Sequence, residues 1–140
     1  MKTALITIVA TLVLAVNLQA RDRYTVDDLT KASAEGNLTR VIAILDSGVD
    51  INAKDSKGWY AISKAAVHGQ ENTLYLLTSR RANIDAMTSR RPPPLIFATS
   101  RGHEESVRFL LNAGANSFIA NVDLELPESL ARTTHRRYDT

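Results

Sequence analysis

Gly36, Gly69 and Gly102 stand 33 residues apart, and the pattern around them repeats at the same interval. Four residues before each glycine come Ala32, Ala65 and Ala98, and seven before come Leu29, Ile62 and Leu95. Eight residues after come Ile44, Leu77 and Leu110. Asp50-Ile51-Asn52, Asn83-Ile84-Asp85 and Asn116-Ser117-Phe118 close the units in the same phase. A period of roughly 20–50 residues is the signature of stacked supersecondary units. One such unit cannot bury its own apolar face, whereas neighbours in a stack can.

Each unit has a simple physical content. A short helix carries the Leu and Ala positions, and its small Ala residues allow close approach of other helices. The glycine ends that helix because it takes positive φ at little cost. A second helix follows, with apolar residues at helical spacing: Val41, Ile44 and Leu45; Leu74, Leu76 and Leu77; Val107, Leu110 and Leu111. Gly48 or Gly114 stops it, and the Asp/Asn-rich stretch turns the chain into an exposed loop.

These residues resemble the ankyrin repeat. The closest matches are Asp55-Ser56-Lys57-Gly58, Pro94-Leu95-Ile96-Phe97-Ala98-Thr99, Arg101-Gly102-His103, Gly48-Val49-Asp50-Ile51-Asn52 and Gly114-Ala115-Asn116. The resemblance implies an all-α solenoid of stacked antiparallel helix pairs joined by β-turn loops. It divides residues 21–140 into units of about 22–54, 55–87 and 88–120, with a partial capping unit at 121–140. Pro127, Leu130 and Ala131 keep phase in that last unit, and His135 occupies its glycine position. Seven helices are expected in the stack, three pairs and a cap, with no sheet beyond isolated bridges.

Departures from the family pattern fall in the turns. The first unit reads Asp27-Asp28-Leu29-Thr30 where the pattern has Thr-Pro-Leu-His, and Asp27 is expected to cap the helix. The second unit reads Tyr60-Ala61-Ile62-Ser63, with neither Thr nor Pro. Arg81 replaces a helix-ending glycine, and Arg91 replaces the loop glycine.

Residues 1–20 are a different kind of sequence. Lys2 gives a positive start, Ala4 to Val16 is apolar apart from two Thr, and Ala20 offers a small residue for cleavage. This is the layout of a secretory signal peptide. The apolar run is shorter than the roughly 20 residues that span a bilayer, so no membrane span is expected in the mature form. Export to a periplasm is expected, with secretion as the alternative. The chain has no cysteine. Export without disulfides suits a bacterial envelope better than an animal secreted module.

Charge excludes some partners. Removing Lys2 from the 17 basic side chains leaves 16 against 15 acidic ones. That balance gives no reason to expect nucleic acid or an acidic membrane as the main partner.

Catalytic chemistry finds little support. The sequence has no G-x-S-x-G, no cysteine and no Gly-rich phosphate loop ending in Lys-Ser/Thr. Glu104 and Glu105 are adjacent, and adjacent helical residues do not share a face. His68, His103 and His135 fall on one edge of the stack, but packed helices are about 8–10 Å apart. Zinc needs ligands at about 2.0–2.1 Å, so three such side chains would need strain. No metal, no cofactor and no enzyme activity are expected. Asn37-Leu38-Thr39 matches a glycosylation pattern that has meaning only in a eukaryotic secretory pathway. In Pro92-Pro93-Pro94, Pro94 falls at the usual helix-start position, where the missing N–H costs nothing.

Recognition of another protein is the function the resemblance implies, through a concave face of loop tips and exposed sides of the inner helices. Lys57, Trp59, His68, Arg90, Arg91 and Arg101 occupy those phases. Trp59, the only Trp, is expected to act as a buried anchor, with the arginines pairing with acidic groups and Lys57 and His68 at the rim. The alternative for Trp59 is that it folds back with Tyr60 on its own loop. Arginine is dense here, with Arg80, Arg81, Arg90, Arg91, Arg101 and Arg108, and an ordinary solvated face is the competing account. The partner's role is open among an envelope component, a toxin masked by an immunity-type protein, and a host protein met by a secreted effector.

Overall fold

The structure is a computed structural model that describes residues 2–21 and 23–117, with side chains described for 3–12 and 23–117. Among these residues are seven helices: α1 (Lys2–Arg21), α2 (Val26–Glu35), α3 (Leu38–Asp46), α4 (Ala61–Val67), α5 (Glu71–Ser79), α6 (Pro94–Ser100) and α7 (Glu104–Asn112). Six of them form three antiparallel pairs, one per sequence repeat. The expected capping unit at 121–140 lies outside the described residues. One bridge occurs among the described residues, Thr88 with Arg91, and it is isolated.

Each helix end has a local cause. Thr25, not Asp27 as the sequence suggests, caps α2. The Thr25 hydroxyl accepts from the Asp28 amide at 3.2 Å, and the Asp28 carboxylate accepts from the Thr25 amide at 2.9 Å. This reciprocal pair is a capping box. Asp27 instead faces the next loop, where its carboxylate accepts from the Ser56 amide at 2.8 Å and hydroxyl at 2.9 Å. Asn37 caps α3 by accepting from the Arg40 amide. Pro94 opens α6 at the position the sequence assigns it.

Five helix ends share one bond. The amides of Asn37, Gln70, Ala82, His103 and Ala115 each reach back to the carbonyl five residues earlier: Ala32, Ala65, Leu77, Ala98 and Leu110. This closure requires a left-handed residue just before the donor. Gly36, Gly69, Gly102 and Gly114 supply it at four ends, with φ of 69°, 64°, 73° and 96°. Arg81 supplies it at the fifth, with φ of 65°, and is the one non-glycine residue with positive φ among those described.

Packing follows the phase. α2, α4 and α6 lie side by side as one layer, and α3, α5 and α7 as a second. Leu29, Ile62 and Leu95 meet Ala32, Ala65 and Ala98 in the inner layer, and Val41, Leu74 and Val107 meet Ile44, Leu77 and Leu110 from the outer one. All twelve are at most 2% exposed, so the repeated phase and the core coincide.

Polar contacts also join the units at fixed spacing. Gln70 Nε2 donates to the Ala34 carbonyl at 3.0 Å, and His103 Nε2 lies 2.9 Å from the Val67 carbonyl. Each spans 36 residues, so His103 in one unit does what Gln70 does in the unit before. In the loops, the Asn83 amide donates to Asn52 Oδ1 at 2.7 Å, and the Asn116 amide to Asp85 Oδ1 at 2.9 Å.

No helix among the described residues is long and apolar enough to cross a membrane. In α1, Leu5, Ile6, Ile8, Val9 and Leu12 are exposed.

Candidate functional site

The loop of the second unit is built around Asp55. The Asp55 amide donates to the Trp59 carbonyl at 2.9 Å, and the Gly58 amide to the Asp55 carbonyl at 3.0 Å. Gly58 has φ of 79°, which closes the turn. Asp55 Oδ1 accepts from the amides of Lys57 at 2.9 Å and Trp59 at 2.8 Å, while Oδ2 accepts from the Thr30 hydroxyl at 2.7 Å. Burial works to raise the Asp55 pKa. The hydrogen bonds from Trp59, Thr30 and Lys57, with the charge of Lys64, outweigh it and hold the carboxyl below its usual value.

The third unit closes one residue sooner. Thr88 and Arg91 exchange amide-to-carbonyl bonds at 3.0 and 3.2 Å, and the Thr88 hydroxyl accepts from the Arg90 amide at 3.3 Å. Two residue changes explain the difference. Arg91 stands where Gly58 takes positive φ, and Pro92 stands where Trp59 donates its amide. The loop that the Arg91 substitution puts in question is therefore tighter, not lost.

These two loops come together at Trp59. The Arg91 guanidinium carbon lies 3.7 Å from the centre of the Trp59 ring, and Lys64 Nζ lies 4.4 Å from it. Phe97 of α6 approaches the same ring at 5.1 Å, tilted by 40°. Arg91 also donates through Nη2 to the Lys57 carbonyl at 2.9 Å, which ties the third loop to the second. Trp59 is half-buried as a result. It does not stand bare at a finger tip, because Arg91 and Phe97 of the neighbouring unit cover part of it.

The six residues singled out in the sequence fall into two groups. Lys57, Trp59, Arg90 and Arg91 share the loop edge, with Lys57 and Arg90 exposed at equivalent phases of adjacent loops and Arg91 half-buried. His68 and Arg101 are exposed at the C-terminal ends of α4 and α6. Seven helical residues separate these ends from the loops, a distance of about 10 Å. Sequence reasoning missed Lys64 and Phe97. Both occupy one phase, 33 residues apart, on the exposed side of the inner helices, and that shared phase was the available signal.

His103 and His68 do different things. His103 bridges two units through its ring nitrogen, whereas His68 is exposed. His135 lies outside the described residues. Among the described residues, no three His, Cys, Asp or Glu side chains converge in a way that could hold a metal ion. The site offers cationic donors around an aromatic ring that its neighbours hold in place.

Comparison with known proteins agrees with this architecture. Residues 29–121 match the family model described as ankyrin repeats (3 copies). Ankyrin repeat and SOCS box protein 2 of Bos taurus is 35% identical over 97 residues, 69% of this chain and 15% of that protein. Palmitoyltransferase Hip14 of Drosophila melanogaster is 30% identical over 101 residues, 71% of this chain and 16% of that protein. The chain thus spans about a sixth of the length of these relatives. A chain in the solved structure of a predatory endopeptidase from Bdellovibrio bacteriovorus in complex with an immunity protein superposes with a TM-score of 0.62 at 26% identity. That match covers 66% of this chain and 49% of the other. Three in-phase repeats, the shared helix-end closure and these matches agree: the chain belongs to the ankyrin repeat family.

Proposed function

We propose that this chain is a non-catalytic protein-binding module of a bacterial envelope, exported through residues 1–20. Binding uses the loop edge and the exposed side of the inner helices. The observation that carries this is the Trp59 ring, held at the loop edge by Arg91 at 3.7 Å and flanked by the exposed Lys57 and Arg90. A large aromatic surface that is already ordered loses little conformational freedom on binding. Trp and Arg are also the residues most enriched at interface hot spots. His68 and Arg101 extend the surface along the inner helices.

An immunity-type role, in which the stack masks a toxin, is the second reading. It is supported by the likeness to a chain of the endopeptidase–immunity protein complex. A pull-down from the native envelope with wild type and Trp59→Ala tests both. One protein enriched by wild type and lost with Trp59→Ala is the expected result, and a captured hydrolase or toxin favours the second reading. Failure to enrich any protein would remove the proposal.

A further inference from the structure

Charge is unevenly distributed along the loop and inner-helix side of the stack. The first unit places Asp27, Asp28 and Glu35 there, beside Lys31, with Asp27 bonded to Ser56 and Asp28 to Thr25 and Arg40. The second places Lys57, Lys64 and His68, and the third Arg90, Arg91 and Arg101. A single phase shows the trend: Glu35, then His68, then Arg101, each ending an inner helix or capping its end. Asp55, in the second loop, already accepts three hydrogen bonds within the protein.

Pairing acts on both sides of this contrast: it engages Asp28 of the first unit and leaves the cations of the second and third units without an ion pair among the described residues. The ion pairs among the described residues are Arg40–Asp28, Arg80–Asp46 and Arg108–Glu105. Each involves an arginine of the outer helices or their caps. Lys57, Lys64, Arg90, Arg91 and Arg101 take part in none of them. Arg91 is also held in place: its guanidinium lies against Trp59 and gives Nη2 to the Lys57 carbonyl. A guanidinium has five N–H donors, so a held Arg91 can still meet a carboxylate from outside.

We infer that the second and third units bind an acidic segment of the partner protein in one polarity, with its carboxylates over Lys57, Arg90, Arg91 and Arg101 and an uncharged or basic end over the first unit. This rests on the protein-binding reading above. Charge complementarity selects the occupant. A uniformly anionic polymer such as nucleic acid would meet Glu35 at the first unit, at the phase where the second and third units carry His68 and Arg101. A protein segment of mixed charge can place an uncharged or basic group there. Adjacent helices in a stack are about 8–10 Å apart, so carboxylates at about that spacing can engage Lys57 and Arg90 together.

Trp59, the only Trp of the chain, reports on the site directly. Full-length protein is titrated at low salt with three probes: a decapeptide carrying Glu at every third position, its Gln counterpart, and single-stranded oligothymidylate. The Glu peptide is expected to change Trp59 emission and the Gln peptide to leave it unchanged. Binding of the Glu peptide should weaken at least tenfold in Lys57→Glu/Arg90→Glu, whose two side chains are exposed and outside the core. Glu35→Lys should allow oligothymidylate to bind more tightly. Equal response to the Glu and Gln peptides overturns the inference, as does tighter binding of oligothymidylate than of the Glu peptide by wild type. If the peptide fails while the pull-down still enriches a protein in a Trp59-dependent way, the acidic polarity is wrong and the protein-binding role stands.

Discussion

The Arg91 guanidinium carbon sits 3.7 Å from the centre of the Trp59 ring, and the two residues come from consecutive repeats. Such cation–π contact is worth about 0.5–1 kcal/mol at exposed sites and more where water is excluded. Its main consequence is order. Arg91 packs on Trp59 and donates to the Lys57 carbonyl, so the second and third loops are tied together at this edge. Substituting Arg91 with Ala should release the ring. The expected signs are a red shift and lower anisotropy of Trp59 fluorescence, with a stability loss of about 1 kcal/mol in urea denaturation.

Arg81→Gly should stabilise the protein. Arg81 ends α5 with φ of 65°, a conformation that glycine adopts without a Cβ penalty and other residues pay for. Its side chain is exposed, so little packing is lost. A gain of about 0.5–1 kcal/mol is expected, read as a rise of roughly 2–8 °C in melting temperature.

Gly69→Ala should do the opposite, for two separable reasons. The new Cβ would lie 2.6 Å from His103 Nδ1 and 2.9 Å from its Cγ, and φ is 64°. A loss of more than about 1 kcal/mol is expected from the backbone alone. A double-mutant cycle with His103→Ala measures the ring clash, because that change removes the clash and leaves the backbone strain. Coupling indistinguishable from zero would show that the ring turns aside freely.

Leu77→Ala and Leu110→Ala should each cost about 2–5 kcal/mol. Both side chains are fully buried between inner and outer helices. In so short a stack, either change should broaden or abolish the cooperative urea transition. Tyr75→Ala is the control, since Tyr75 is 67% exposed on the outer layer.

Acid should weaken the stack through Asp55. Its carboxyl titrates below the usual aspartate value of about 3.9 because the loop donates hydrogen bonds to the charged form. A lowered folded pKa gives stability that is complete above the unfolded pKa. It is lost as pH falls from about 4 through the folded value. Asp28, held low by the Thr25 amide and hydroxyl, contributes with the same sign. Asp55→Asn should therefore lower the melting temperature at pH 7 and flatten its fall below about pH 4.

The sequence made the core legible because the same apolar types recur at one interval: Leu29, Ile62 and Leu95 need no partner information to be assigned. Helix ends were legible where glycine marks them. The capping box was present as Thr25-Val26-Asp27-Asp28, but the repeat phase drew attention to Asp27, which bonds Ser56 in the next loop instead. Trp59 was harder. Two of its contacts, Arg91 and Phe97, lie 32 and 38 residues further on and depend on how one unit leans on the next. Arg91 replacing glycine was visible, but the earlier closure by Thr88 that places its side chain over Trp59 was not.

The central claim is that partners are met at the loop edge and not on the outer helices. A photo-crosslinking amino acid placed singly at Lys57, Arg90 or Tyr75, in full-length protein expressed in its native cells, tests it most directly. All three side chains are exposed and outside the core. The account predicts one discrete crosslinked species from positions 57 and 90, weakened by Trp59→Ala, and none from position 75. Crosslinking from position 75 alone, or equally from all three, would contradict it.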